Sequence, residues 1–314
     1  MDESTGPSWE AAPQRHGWFV PRGRHIELPG RGRTFVRELD GPPGAPTVVL
    51  LHGLGATGGL NWFASFRPLS ERYRVIALDH RGHGRGVRTA RFRLADCADD
   101  VAALADALDI DRFTAVGYSM GGPIAQLLWW RHRDRVDGLV LCATSRNFRG
   151  GVGDRVRFAG LGLLGLGLAV PGAVAASGRG WAAVTTLVAR RMPASLRGWA
   201  LQELAGHDPR SILQAAEAIG RFSSHQWIET IDVPVAVVAT AHDELVPLRR
   251  QLKLARSIPT AVLHPVDGDH MVVARSPGSF VPALVEACEL VQRRVTEWSG
   301  RTDDVDDVSE AEAV

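Results

Sequence analysis

The sequence predicts an α/β fold, with a mostly parallel central sheet flanked by helices and one inserted helical cap. Two observations carry that expectation. Over the first 145 residues, short uninterrupted apolar runs alternate with segments of helical period, the pattern of strands covered on both faces. Near Arg146 the alternation stops, helix-like segments follow, and the strand pattern returns at residues 233–239. The expected division is a core of 17–145 and 227–298, a helical cap or lid of 146–226, and disordered ends at 1–16 and 299–314. The last of these is rich in Asp and Glu.

In order, residues 34–39 read as an early strand before the turn Gly41-Pro42-Pro43-Gly44. Residues 47–51 form a continuous apolar strand that runs into the glycine-rich loop 52–59, and an amphipathic helix is expected over about 62–73. Residues 74–78 are the next buried strand, ending in the glycine-dense turn 79–86. A helix over 94–108 places Val101, Leu104 and Leu108 on one face and Asp99 and Asp100 in its early turns. Short strands follow at 113–116 and 138–142. After the insertion come strands at 233–239 and 261–263, then a closing helix over about 279–297, entered through Pro277-Gly278.

Composition narrows the function. In a chain of 314 residues, 45% hydrophobic and 23% charged residues suit a globular enzyme, and a formal net charge of +1 gives no reason to expect nucleic acid. Cys97, Cys142 and Cys288 are few, odd in number and widely spaced, so free thiols in a reducing compartment are expected. The polar N-terminus lacks an apolar signal core, which predicts a cytoplasmic protein.

The most informative stretch is Gly117-Tyr118-Ser119-Met120-Gly121. It lies between the strand ending at Val116 and an apolar helix that begins near Pro123, the context in which G-x-S-x-G carries chemical meaning. A strand that reverses into a helix within two residues forces the serine into strained backbone geometry, and glycines leave the neighbouring chain room to pass. The serine hydroxyl then stands at a helix N-terminus, whose free N–H groups can stabilise developing negative charge.

With this elbow in place, the chain over roughly residues 20–298 resembles the α/β-hydrolase-fold enzymes, whose nucleophile, acid and base occur in the order Ser, Asp/Glu, His. The resemblance implies Ser119 as nucleophile. Asp243, in a D-x-x-V-P context after the returning strand, is the implied acid, and His270 in Asp267-Gly268-Asp269-His270 the implied base. His52-Gly53-Leu54-Gly55 resembles the family's oxyanion loop, with the Leu54 and Met120 backbone N–H groups as donors. Asp79-x-Arg81-Gly82-x-Gly84 resembles a recurrent structural turn. One departure is Thr240, where a glycine often precedes the acid by three residues. Gly53, Tyr118, Leu163, Leu164 and Met271 are the expected lining of the substrate pocket.

The chemistry needs each of these. A serine hydroxyl is a weak nucleophile until an imidazole takes its proton, and a buried carboxylate holds that imidazole in one tautomer. Two N–H donors must already be in place for the oxyanion, and losing one typically costs about 3–4 kcal/mol. Asp243 also reads as a helix N-cap, Glu244 as a solvent-facing neighbour, and Asp267 and Asp269 as turn formers. His52 is expected to shape the loop, His80 and His83 to be loop residues without a metal-ligand pattern, and His207 and His225 to lie on the surface.

Haloalkane dehalogenases and epoxide hydrolases of this fold carry an aspartate at the elbow, so Ser119 points to acyl transfer. No P-loop or H-E-x-x-H occurs, and the apolar Gly160-Leu161-Gly162-Leu163-Leu164-Gly165 lacks the preceding strand of a dinucleotide site; no cofactor or metal is expected. Residues 158–178 carry no formal charge, with Arg146, Arg149, Arg155, Arg157 and Arg179 flanking them. This stretch reads either as a buried pair of cap helices or as an apolar lid over an acyl-chain pocket that touches a membrane surface. A serine esterase or lipase acting on a small-molecule ester leads the functional readings. C–C hydrolases, thioesterases and lactonases would use the same triad, an acyltransferase would differ in its acceptor, and a ligand-binding module would lack turnover.

Overall fold

The computed structural model describes residues 14–15, 18–148, 186, 190 and 194–311. Eight strands form one sheet: β1 (Gly23–Leu28), β2 (Gly32–Leu39), β3 (Thr47–Leu51), β4 (Arg74–Leu78), β5 (Phe113–Tyr118), β6 (Val136–Cys142), β7 (Val235–Thr240) and β8 (Ala261–Val266). Their spatial order is β8-β7-β6-β5-β3-β4-β2-β1. From β4 to β8 every pairing is parallel, with Leu51 opposite Gly117 and Tyr118 opposite Cys142. The β1–β2 hairpin and its pairing to β4 are antiparallel. β1 is an additional strand, absent from the sequence reading; its alternation is blurred by Arg24, His25 and Glu27.

Successive side chains of a strand point to opposite faces, and the two cores follow that period. Val49, Leu51, Ala115, Leu139, Leu141, Val235 and Val237 face one core with helices α3 (Leu94–Ala107), α4 (Gly121–Arg131) and α7 (Leu248–Ser257). Val48, Leu50, Val116, Val140, Ala236 and Val238 face the other. It is completed by α1 (Gly58–Trp62), α2 (Phe66–Ser70) and α9 (Pro277–Ala311), with the short α8 (Val272–Arg275) beside them. The helix expected over 62–73 is thus two short ones, and Trp62, Phe63 and Phe66 are all fully buried where they meet.

The closing helix passes its expected end and continues to Ala311, into the stretch expected to be disordered. From Arg301 to Ala311 the sequence holds no glycine or proline, so nothing interrupts a helix already nucleated upstream. Of the N-terminal stretch expected to be disordered, residues 1–13, 16 and 17 lie outside the described residues, while Gln14–Arg15 pair with Trp18–Phe19.

Between β6 and β7, α5 (Arg197–Ala205) and α6 (Pro209–Arg221) are described. α6 begins as its sequence demands: the Asp208 side chain accepts from the Arg210 N–H at 3.0 Å, and Pro209 occupies the first turn. The chain leaving β6 and the chain returning toward β7 meet where Asn147 bridges Ser223 and the Ser224 N–H donates to the Arg146 carbonyl at 2.8 Å. Residues 158–178 lie outside the described residues. Among those described, no helix is long and apolar enough to cross a membrane.

Candidate active site

Parallel strands deliver their following loops to one edge of the sheet, and the candidate site stands there, beyond the C-terminal ends of β3, β5, β7 and β8. After β5, Ser119 adopts φ 51°, a left-handed conformation that a residue with a side chain tolerates only when its surroundings enforce it. Three hydrogen bonds do so. The Ser119 N–H donates to the Cys142 carbonyl at 2.9 Å, and the Ser119 carbonyl accepts from the Gly122 N–H at 3.0 Å and the Thr144 hydroxyl at 2.8 Å. A Cβ on Gly117 would collide with the Gly121 carbonyl, and one on Gly121 with the Leu51 carbonyl. Both glycines of the motif are therefore required by chains crossing at close range.

His270, on the loop after β8, lies with Nε2 2.9 Å from Ser119 Oγ and Nδ1 2.7 Å from Asp243 Oδ2. A carboxylate only accepts, so Nδ1 carries the proton and Nε2 offers its lone pair to the serine. The Asp243 side chain is fully buried and meets donors at both oxygens. Oδ1 accepts from the Leu245 and Val246 N–H groups at 2.9 and 2.7 Å, and Oδ2 from the Thr240 hydroxyl at 2.8 Å. The local turn thus supplies what a buried charge requires. Behind His270, the Tyr118 hydroxyl donates to the His270 carbonyl at 2.7 Å and fixes the height of the imidazole.

The loop after β3 runs beside the nucleophile: a Cβ on Gly53 would stand 3.4 Å from Ser119 Cβ. The Gly53 N–H donates to Asn61 Oδ1 on α1 at 3.0 Å, and Thr57 caps that helix by accepting from the Leu60 N–H at 3.1 Å. Thr57 in turn donates its hydroxyl proton to Glu203 Oε2 at 2.8 Å. Glu203, a buried carboxylate on α5, also takes Arg37 at 2.9 Å and Arg85 through Oε1. Asp79 receives the N–H groups of Gly58 and Arg85, each at 2.9 Å. Burial pushes its carboxyl up to about 6, with the nearby Glu203 charge adding to the rise against those two donors.

Four buried imidazoles pack under this loop. His52 Nε2 accepts from the His80 N–H at 2.9 Å, which puts the His52 proton on Nδ1, 2.8 Å from the Gly53 carbonyl. The His52 ring lies 4.4 Å from that of His80 and 5.2 Å from that of His83, and the His83 ring lies 5.5 Å from that of His207. Burial lowers His52 to about 3 and His207 to about 4, and holds His80 and His83 well below the ordinary histidine range.

The structure brings Ser119, Asp243, His270 and Gly53 together, and sets Leu54 and Met120 immediately beside Gly53 and Ser119 in the chain. Met271 is partly buried against the core, its N–H capped by Asp269 Oδ1 at 2.7 Å. Leu163 and Leu164 lie outside the described residues. Three expectations are corrected. Tyr118, expected in the pocket, is 3% exposed and supports the base from behind, because strand alternation turns it into the core shared with Trp62 and Phe280. His207, expected on the surface, is 5% exposed, since α5 and α6 press their junction against the 80–86 turn; His225 is exposed. Glu244 is exposed, and Asp243 bonds the 245–246 turn rather than capping α7.

Sequence reasoning did not find Asn61, Glu203 or Gln251. A buried polar residue on an otherwise apolar helix face was the available signal for Gln251, which lies one turn before the buried Leu254 on α7. Nothing near Glu203 in the chain foretells partners 118 to 166 residues away.

The profile of the alpha/beta hydrolase fold matches residues 46–277. A putative carbamate hydrolase RutD of Caulobacter sp. (strain K31) is 31% identical over 263 residues, covering 79% of this chain and 93% of the relative. The magnesium-chelatase 30 kDa subunit of Rhodobacter capsulatus is 31% identical, covering 74% and 83%. Among solved structures, the enol-lactonase from Burkholderia xenovorans LB400 superposes with a TM-score of 0.68 at 25% identity, covering 85% of this chain and all of its own. With this profile spanning most of its length and a relative of that similarity over four-fifths of it, the chain belongs to the α/β-hydrolase-fold family.

Proposed function

We propose that the protein hydrolyses carboxylic esters through an acyl-enzyme formed on Ser119. The observation that carries this reading is the 2.9 Å contact between Ser119 Oγ and His270 Nε2, with Asp243 2.7 Å behind. Ser119 Oγ attacks the acyl carbon as its proton passes to Nε2. The resulting imidazolium is balanced by Asp243, and the oxyanion is received by the Leu54 and Met120 N–H groups. His270 then protonates the leaving alcohol. Water, deprotonated by the same nitrogen, attacks the ester carbon and releases the acid. A serine rather than an aspartate at the elbow supports acyl transfer over alkyl-enzyme chemistry.

The relatives named for carbamate and lactone hydrolysis fit the same attack on an acyl carbon, so the leaving group is the open variable. The uncharged stretch 158–178, read as a lid with arginines at its borders, supports an apolar acyl chain and peripheral contact with a membrane surface. A p-nitrophenyl ester series tests both levels. Turnover rising from acetate to medium or long chains and lost in Ser119→Ala is the expected result. Peak activity on acetate removes the apolar-chain reading, and turnover that survives Ser119→Ala removes the proposed chemistry.

A further inference from the structure

Behind the acid lies a second layer of hydrogen bonds whose proton directions can be worked out from partner chemistry. Thr240 ends β7 and Gln251 sits on the inner face of α7; neither has any exposed surface. The Thr240 N–H can only donate, so the atom 3.0 Å from it must be Gln251 Oε1. The Val246 carbonyl can only accept, so the atom 2.7 Å from it must be Gln251 Nε2. These two contacts fix the amide without appeal to any other. Nε2 then donates its remaining proton to Thr240 Oγ1 at 2.8 Å, with longer approaches of 3.4 Å to the Thr240 carbonyl and 3.5 Å to Asp243 Oδ2.

A hydroxyl that receives an N–H still has a proton of its own to place. For Thr240 the acceptor is Asp243 Oδ2 at 2.8 Å, the oxygen that also takes His270 Nδ1–H. The chain therefore runs in one direction, from Gln251 through Thr240 and onto the carboxylate that holds the base. Since Oδ1 is occupied by two backbone N–H groups, turning the carboxylate would break bonds at both oxygens. We infer that Thr240 and Gln251 are positioning residues for the acid, locking the Asp243 carboxylate in the orientation that presents Oδ2 to His270. Neither touches substrate. A glycine at position 240 would leave Oδ2 without this donor, so the hydroxyl is a feature of this chain's own acid turn.

The inference rests on the proposed triad, and its test separates the two. Thr240→Val removes the hydroxyl at nearly constant shape, and Thr240→Ser restores it. The expected result for Thr240→Val on a p-nitrophenyl ester is a kcat about tenfold lower with KM within about twofold. Its His270 Nδ1 proton resonance moves in the ligand-free enzyme, and Thr240→Ser returns both readings toward wild type. Gln251→Met, which keeps the bulk and removes the donor that orients Thr240, moves the same resonance in the same direction and serves if Thr240→Val does not fold. An unchanged resonance in the variant that folds, or a Thr240→Ser protein as impaired as Thr240→Val, overturns the inference. Wild-type protein that turns over no acyl substrate instead removes the functional reading, while the resonance, read without substrate, still decides this one.

Discussion

The two regions that flank the nucleophile are held by opposite means. The acid turn is local and uncharged: Asp243 is met by Thr240, Leu245 and Val246, with Gln251 behind, all within 12 residues. The loop after β3 adds distant charged partners to its local bonds, its Thr57 anchored on Glu203 of α5, which also binds Arg37 and Arg85. A local neutral shell keeps one carboxylate aimed at His270. A long-range ionic one ties the loop's position to the docking of α5.

The difference can be broken from either side. The largest effect belongs to the acid: Asp243→Asn keeps the shape but offers His270 Nδ1 an amide, and kcat should fall by about 10⁴ with little loss of thermal stability. Steady-state kinetics beside a melting curve measure both. Glu203→Ala should behave the other way round. It strands the Arg37 guanidinium in a buried site, and breaking a buried pair costs about 3–5 kcal/mol, read from denaturant midpoints. A stability equal to wild type would show that α5 does not anchor the loop through this carboxylate.

The imidazole cluster sharpens the comparison through pH. Below about 6.5 the unfolded chain takes up protons at His52, His80, His83 and His207 that the folded protein refuses until far lower, about 3 at His52 and about 4 at His207. Stability should therefore fall as pH drops through this window, by about 1 kcal/mol per pH unit at most for each imidazole. Asp79 works in the opposite sense: its folded carboxyl, at about 6, binds a proton before the unfolded one does, and so adds stability as pH falls toward 4. Denaturant titrations at pH 7 and pH 5 give the net slope, and His207→Gln should make it shallower. An identical slope would place the acid sensitivity elsewhere. The smallest effect is expected at Thr57→Val, which removes one hydrogen bond to Glu203 and the cap of α1, for about 1–3 kcal/mol in the same titration.

What could be read from the sequence divides along the same line. The buried strands were legible because unbroken runs such as Val48-Val49-Leu50-Leu51 have one reading in a parallel sheet. Ser119 was legible from its glycines, and Asp243 and His270 through the family resemblance, which expects an acid and a base on the loops after the returning strands. β1 was not, because an edge strand with one exposed face carries little apolar signal. Tyr118 was misplaced because the elbow motif marks its serine without saying which way the preceding side chain turns. Glu203 was invisible for a physical reason: a buried carboxylate is explained by its partners, and Arg37, Thr57 and Arg85 come from elsewhere in the chain.

The proposed chemistry depends on activation of Ser119 by His270, and the rate of covalent labelling by a fluorophosphonate measures that activation directly. The expected result is a single adduct, mapped to Ser119, that forms rapidly in wild type and orders of magnitude more slowly in His270→Ala. Labelling at another residue, or at equal rates in the two proteins, would contradict the account.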